Sequence, residues 1–216
     1  MVEDAFAEAR ERMLTEQIVV RGIRDERILG AMRAVPRHAF VPPDQQSRAY
    51  QDSPLPIGHQ QTISQPFIVA LMTVLVRPSS TDRALEIGTG CGYQSAVLAQ
   101  VVAEVFSIET IDALARDAQE RLVRLGYATV HVRLGDGYDG WPDRAPFDIV
   151  IVTAAPPQVP QTLIAQLAPG GRMAIPVGPS DAQVLQLIEK GRDGQVTTRD
   201  VAPVRFVPMV ETSSRA

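Results

Sequence analysis

Three acids, one serine and a run of glycines are the residues of this 216-residue chain whose types and spacing could do chemistry. Arg83-Ala84-Leu85-Glu86-Ile87-Gly88-Thr89-Gly90-Cys91-Gly92-Tyr93 begins as a short apolar run, passes through glycines at alternate positions and leaves on a helix-like pattern. Strand, glycine turn and helix in that order bring a nucleotide-like ligand against the main chain. A residue without Cβ permits both the tight turn and the close approach. A dinucleotide fingerprint would read Gly-x-Gly-x-x-Gly, but here Tyr93 takes the third position and Gly92 comes one residue early. Glu86, two residues ahead of Gly88, would repel a pyrophosphate and tolerate a cation. S-Adenosylmethionine carries a sulfonium, an ammonium and no phosphate, so the spacing favours it, with Gly88, Thr89 and Gly90 against the ligand. Glu109 ends the next apolar run, Val105-Phe106-Ser107-Ile108, where an α/β fold places the acid that grips ribose hydroxyls. The alternative is a plain strand–turn–helix that binds nothing.

Asp136, between Gly135 and Gly137 after the third strand, could accept a hydrogen bond from an adenine amino group; alone it could equally be a turn aspartate, but Glu86 and Glu109 upstream favour the ligand. Ser64 has no partner of the Ser/His/Asp type, and a lone serine before a helix is usually a cap. A hydroxyl near free N–H groups at a helix start also suits a carboxylate, so Ser64 and its neighbours are where a carboxylate acceptor would be held. Thr153-Ala154-Ala155-Pro156-Pro157-Gln158 superficially matches the amino-methylating DNA motif. It lacks the polar acceptor and the aromatic face that a flipped base needs, so it is read as a rigid entry to the next helix. Cys91 and Trp141 read as packing residues, and no His or acid cluster has metal-ligand spacing.

The elements that must position these residues follow from periodicity and punctuation. A mixed helical pattern covers 3–20, and a second helix starts at the N-cap Asp25 with Ile28, Leu29, Met32 and Val35 on one face. Residues 36–66 carry six prolines and no sustained period; Phe40, Val41, Leu55 and Ile57 predict an ordered loop against the domain. Pro66 opens the apolar helix Phe67–Val76, with Ser64 at or just outside its cap. Strands are expected at 84–87, 104–108, 130–134, 147–152 and 172–177, and helices at 93–101, 112–125 and 160–167. Right-handed crossovers make this a doubly wound, mostly parallel α/β sheet. No helix separates Val184–Lys190 from Val196–Val204, so the sheet should finish with an antiparallel hairpin through Gly191-Arg192-Asp193-Gly194. The chain reads as one domain over 1–216: helices and a proline-rich covering segment over 1–80, a cofactor-binding core over 81–180, and a hairpin and tail over 181–216. A net charge of −4 without a basic run argues against a nucleic-acid partner. No apolar stretch is long enough for a membrane span, and the acidic start lacks a signal core, so a cytoplasmic location and a monomer are the expectations.

Taken together these stretches resemble the protein-L-isoaspartate O-methyltransferase family, a Rossmann-type fold, from about Arg12 to Val210. The carriers are Ala34-Val35-Pro36-Arg37, Leu55-Pro56-Ile57-Gly58, Thr62-Ile63-Ser64-Gln65-Pro66, Leu85 to Gly90, Ala145-Pro146-Phe147-Asp148, Val152 to Pro156 and Val204-Arg205-Phe206-Val207-Pro208. Thr-Ile-Ser-Gln-Pro is the specific one. The resemblance implies that Ser64 is the active-site hydroxyl and that Ile63, Gln65 and the strand around Val207 hold a substrate peptide. It also sets Thr62, Ile63, Ser64 and Gln65 among the cofactor contacts, with Glu86, Gly88, Thr89, Gly90, Glu109, Asp136 and Gly137. An altered arrangement of the last two strands is implied as well. Cys91 departs from the serine common there, and an acidic N-terminal segment precedes the shared region. The implied reaction moves a methyl group to the free α-carboxylate of isoaspartyl residues. That acceptor, with a reference pKa near ~3.5, is an ionised nucleophile at neutral pH, so placement and exclusion of water suffice. Charge is lost on both reactants, so a low-polarity site is expected, and no Arg/Lys pair stands beside Ser64 in the sequence. A methyltransferase for a small carboxylate, or a cofactor-binding protein without catalysis, are the other readings.

Overall fold

The N-terminal helical pattern begins as α1 (Ala7–Arg12) and widens into a π-helix over Met13–Val19, burying Met13, Leu14 and Ile18. This is a computed structural model, and it describes residues 5–211, so the first two positions of the expected 3–20 helix lie outside the described residues. α2 (Glu26–Ala34) starts as predicted: the Asp25 carboxylate accepts the Arg27 N–H at 3.0 Å, and Ile28, Leu29, Met32 and Val35 are buried.

The proline-rich segment is ordered. Two short 3₁₀ turns, Arg37–Phe40 and Pro43–Arg48, lead into β1 (Leu55–Gly58) and β2 (Gln61–Ile63), which pair antiparallel. The sequence did not announce this hairpin. Its two-residue link is His59-Gln60, both at positive φ (51° and 59°), a conformation usually given to Asn and Gly. α3 (Pro66–Leu75) follows, with Gln65 at the N-cap and Pro66 in the first turn.

From there strands and helices alternate as expected: β3 (Arg83–Ile87), α4 (Tyr93–Leu98), β4 (Glu104–Glu109), α5 (Asp112–Arg124), β5 (Val130–Leu134), β6 (Phe147–Val152), α6 (Gln161–Ala165), β7 (Leu167–Val177), β8 (Gln183–Lys190) and β9 (Val196–Val204). The observed helices are shorter than the patterns suggested, and β7 starts well before residue 172. α5 starts at Asp112 as expected, with Ile111 at its N-cap, and Gly126 at φ 84° ends it. Seven strands form one sheet in the order β5-β4-β3-β6-β7-β8-β9; the pairs up to β7 are parallel, and β8 and β9 add antiparallel. Both faces of the central strands are covered. Ala84, Ile149 and Ile151 pack under α2, α3 and α4, while Leu85, Ile87, Val150 and Val152 face the other way against the α6 side. Burial on both faces explains the near-continuous apolar runs. It also places Glu86, two residues on from Ala84, under α4. The carboxyl ends of β3, β4 and β6 form the edge on which the site is built.

Candidate active site

The glycine turn leaves β3 with Gly88 at φ 95° and enters α4 with Gly92 at φ 88°. Its shape is enforced from the neighbouring strands. Gly88 and Thr89 N–H both donate to Ile108 O (2.8 and 3.2 Å), and Thr153 Oγ1 donates to Gly88 O at 2.7 Å. A Cβ on Gly88 would overlap that same Thr153 oxygen, so glycine is required here by space as well as by φ.

Two acids grip the turn in different ways. Glu109 stands at the end of β4; one oxygen accepts Gly90 N–H at 2.7 Å, the other Thr110 and Ile111 N–H at 2.9 and 3.0 Å. A carboxylate has about four lone-pair sites, so it retains acceptor capacity toward the cavity it lines. Glu86 is 0% exposed. Its Oε2 accepts from Ser95 on α4 and from Ser107 Oγ (2.6 Å), and Ser107 in turn bonds Thr89 Oγ1 (2.6 Å). Its Oε1 has no partner. Burial pushes the Glu86 carboxyl up to about 7; the two serine hydroxyls oppose this and the charge of Glu109 adds to it.

Above the turn lies a cavity of about 250 Å³, walled by Ile87, Ile108 and Ile111, with Glu109 and Gly137 on its surface. Beside it is an open groove of about 460 Å³ lined by Ser64, Gln65, Ile68 and Arg205. Thr62, Thr153 and Val207 line both, so the two spaces meet at these side chains. A smaller space of about 40 Å³ connects Ser64 and Ile63 with Glu86, Thr89 and Gly90. An elongated ligand in the first cavity and an extended one in the groove would therefore touch at Thr62, Thr153 and Val207, with Ser64 on the groove side.

Most of the predicted residues are brought together: Thr62, Ile63, Ser64, Gln65, Glu86, Gly88, Thr89, Gly90, Glu109, Gly137 and Val207 line these spaces. Asp136, for which the sequence favours a ligand role, is not among the residues lining these spaces; its Oδ1 accepts Tyr138 N–H at 2.8 Å, a turn bond. Ser64 lies one residue outside the α3 cap, since Gln65 holds that position. Gln65 Nε2 donates to Asp52 Oδ1 at 2.7 Å, and Asp52 is paired with Arg21, whose guanidinium lies 4.7 Å from the Phe67 ring centre. Around Val207 the chain forms a single parallel bridge, Ala155 with Pro208, rather than a full strand: Ala155 N–H donates to Val207 O (2.8 Å) and Met209 N–H to Ala155 O (2.9 Å).

One expectation is corrected. No cation was foreseen beside Ser64, yet the guanidinium of fully buried Arg37 donates to Ser64 O at 2.7 Å, and exposed Arg205 lines the groove. Thr153 was also missed as a lining residue, although its place at the carboxyl end of a parallel strand was a signal. Cys91 is buried, and Trp141 packs edge-on against Phe106 under Arg133. Among the described residues no group of His, Cys, Asp and Glu could hold a metal ion.

The site fits an adenosyl sulfonium cofactor. Gly88, Gly90 and Gly137 line the cavity with main chain alone, apolar walls suit a nucleoside, Glu109 suits ribose hydroxyls, and the unpartnered Glu86 oxygen suits a cation.

Residues 8–214 match the family model described as protein-L-isoaspartate(D-aspartate) O-methyltransferase. A protein-L-isoaspartate O-methyltransferase of a Synechococcus species is 53% identical over 214 residues, covering 96% of this chain and 87% of that protein. A second, from a Polaromonas species, is 53% identical over 210 residues, covering 97% and 98%. A solved protein-L-isoaspartate O-methyltransferase superposes with a TM-score of 0.82 at 31% identity over 92% of this chain, which spans 65% of that chain's length. A Plasmodium falciparum protein assigned to the same class, solved with S-adenosyl-L-homocysteine, gives a TM-score of 0.78 over 96% of this chain; at 24% identity it speaks for the fold.

Proposed function

The chain belongs to the protein-L-isoaspartate(D-aspartate) O-methyltransferase family, and from that premise we propose how its residues carry out the family's reaction. The enzyme transfers the methyl group of S-adenosylmethionine to the free α-carboxylate of L-isoaspartyl residues in damaged peptides and proteins. The methyl ester then closes to a succinimide unaided, which reopens partly to normal aspartate. The observation that carries the assignment of roles is the meeting of the two spaces at Thr62, Thr153 and Val207 with Ser64 beside them.

S-Adenosylmethionine supplies an electrophilic methyl group on a sulfonium. Gly88, Gly90 and Gly137 present main chain to the ligand, Glu109 accepts from its ribose and Glu86 offsets its positive charge. Ser64 donates a hydrogen bond to the acceptor carboxylate and aims it, while Ile63, Gln65 and Val207 hold the flanking peptide. No general base is needed, because the acceptor is already ionised at neutral pH. The contribution of the protein is proximity and orientation. The Asp52 link gives Gln65 a fixed direction, which supports its place in the peptide surface.

The formal net charge of −4 supports a protein rather than a nucleic-acid partner, and among the described residues no helix is long and apolar enough to cross a membrane. Action as a monomer in the cytoplasm is part of this reading. The test is methyl transfer from labelled S-adenosylmethionine to matched isoaspartyl and aspartyl peptides. Base-labile label on the isoaspartyl peptide alone is expected; equal labelling of both, or of neither while cofactor binds, overturns the acceptor assignment.

A further inference from the structure

We propose that Arg37 is the positioning residue for the acceptor, holding the main chain at Ser64 with a buried positive charge; this deepens the reading of Ser64 given above. Arg37 is 0% exposed. Its Nε donates to Ala49 O and one terminal nitrogen to Ser64 O, both at 2.7 Å, while the other terminal nitrogen has no partner. The guanidinium carbon lies 4.8 Å from the ring centre of Tyr93, the first residue of α4 beyond the glycine turn. Among the described residues no carboxylate pairs with it.

An arginine buried without a counterion costs several kcal/mol, and arginine does not escape that cost by losing its proton. Two carbonyls could be tied by a neutral amide at far less expense. The unpaired charge therefore has a use, and its location says which. Ser64 falls between β2, which ends at Ile63, and α3, which starts at Pro66. Its carbonyl belongs to neither element, and the bond from Arg37 is what fixes it. The group expected above Ser64 is an anion. Arg37 thus sets the direction of the Ser64 peptide, which governs the transfer step; because charge is lost in that step, its positive potential helps to bind the carboxylate and does not speed the transfer. Contact with Tyr93 ties this acceptor segment to the helix that leaves the cofactor turn. Arg37 itself lines none of these spaces, so it acts through Ser64.

The experiment compares R37K, R37M and R37A with wild type, measuring kcat and KM for an isoaspartyl peptide, cofactor affinity by calorimetry, and stability by denaturant unfolding. R37M is expected to lose roughly tenfold to a hundredfold in kcat, the scale of a displacement of about 1 Å at a reacting group, with cofactor affinity kept. R37K, which retains charge and can reach one carbonyl, is expected to recover part of that loss. Added guanidinium, well below denaturing concentration, is expected to rescue R37A saturably. Equal kcat in folded R37M and wild type overturns the proposal. So does a loss that is the same in R37K and R37M and untouched by guanidinium, since that marks packing alone. If R37M does not fold, R37K and the rescue of R37A decide. Selectivity of the wild-type enzyme for isoaspartyl over aspartyl peptide is measured alongside, so failure of the acceptor assignment is told apart from failure of the role of Arg37.

Discussion

Replacing Glu86 by Gln tests the electrostatics beneath the glycine turn. Glu86 is buried, its carboxyl is raised from 4.5 to about 7, and only Oε2 has hydrogen-bond donors. In the unfolded chain the group ionises near 4.5, whereas in the free folded protein it holds its proton to about 7. Between those values the native state binds more protons than the unfolded state, so stability falls as pH rises and flattens above about 7. Moving the carboxyl from 4.5 to about 7 is worth about 3 kcal/mol. Glutamine cannot ionise and removes that decline. It also introduces an amide nitrogen without an acceptor at the Oε1 position, costing about 1–3 kcal/mol at every pH. The slope with pH is therefore the diagnostic quantity, and the offset is not. Denaturant unfolding of the cofactor-free proteins at intervals from pH 5 to 8 supplies it, because other groups cancel in the difference. The stability of Glu86→Gln relative to wild type should rise by roughly 2–3 kcal/mol across the range. A flat difference would falsify the argument, showing a carboxylate already ionised in the fold at pH 5. With cofactor present the wild-type decline should shrink, since a bound cation favours the ionised acid.

Ser64→Ala should lower turnover while calorimetric affinity for S-adenosylmethionine survives; an unchanged rate removes Ser64 from the mechanism. Glu109→Ala should weaken cofactor binding by ~1–3 kcal/mol, the cost of losing a charged partner, and unaltered binding refutes its role. Gly88→Ala forces a side chain onto Thr153 Oγ1 at φ 95° and should destabilise the fold by about 1–3 kcal/mol; an unchanged denaturation midpoint would show that the turn relaxes freely. Asp52→Asn should raise KM for the peptide more than it lowers kcat, because it loosens Gln65 and spares the cofactor cavity; a fall in kcat alone contradicts that placement of Gln65.

The α/β core was legible because both of its signals are local. Strands buried on both faces read as unbroken apolar runs, and the glycines of the turn mark backbone that other residues cannot adopt. The corners were less so. His59-Gln60 adopts a hairpin turn without the residues that advertise one, so β1 and β2 read as loop. Asp136 has the composition of a ligand contact and of a turn residue alike, and the bond its Oδ1 accepts from Tyr138 N–H is one that composition does not record. Arg37 was invisible as a site residue because it reaches Ser64 across 27 positions of irregular chain. Long-range placement of a flexible side chain leaves no periodic trace.

The single bridge between Ala155 and Pro208 has a consequence for how the molecule matures. The segment from Arg205 to Met209 lines the cavity and the groove, and it follows directly on β9, so the β8–β9 hairpin sets where it lies. A partly folded chain with the parallel strands assembled and the hairpin undocked would possess the glycine turn but no enclosed cavity. The cofactor would then bind the completed sheet in preference to that intermediate. At a hundred times its dissociation constant it would favour the completed form by about 2.7 kcal/mol, so cellular cofactor supply would set how often the hairpin end opens.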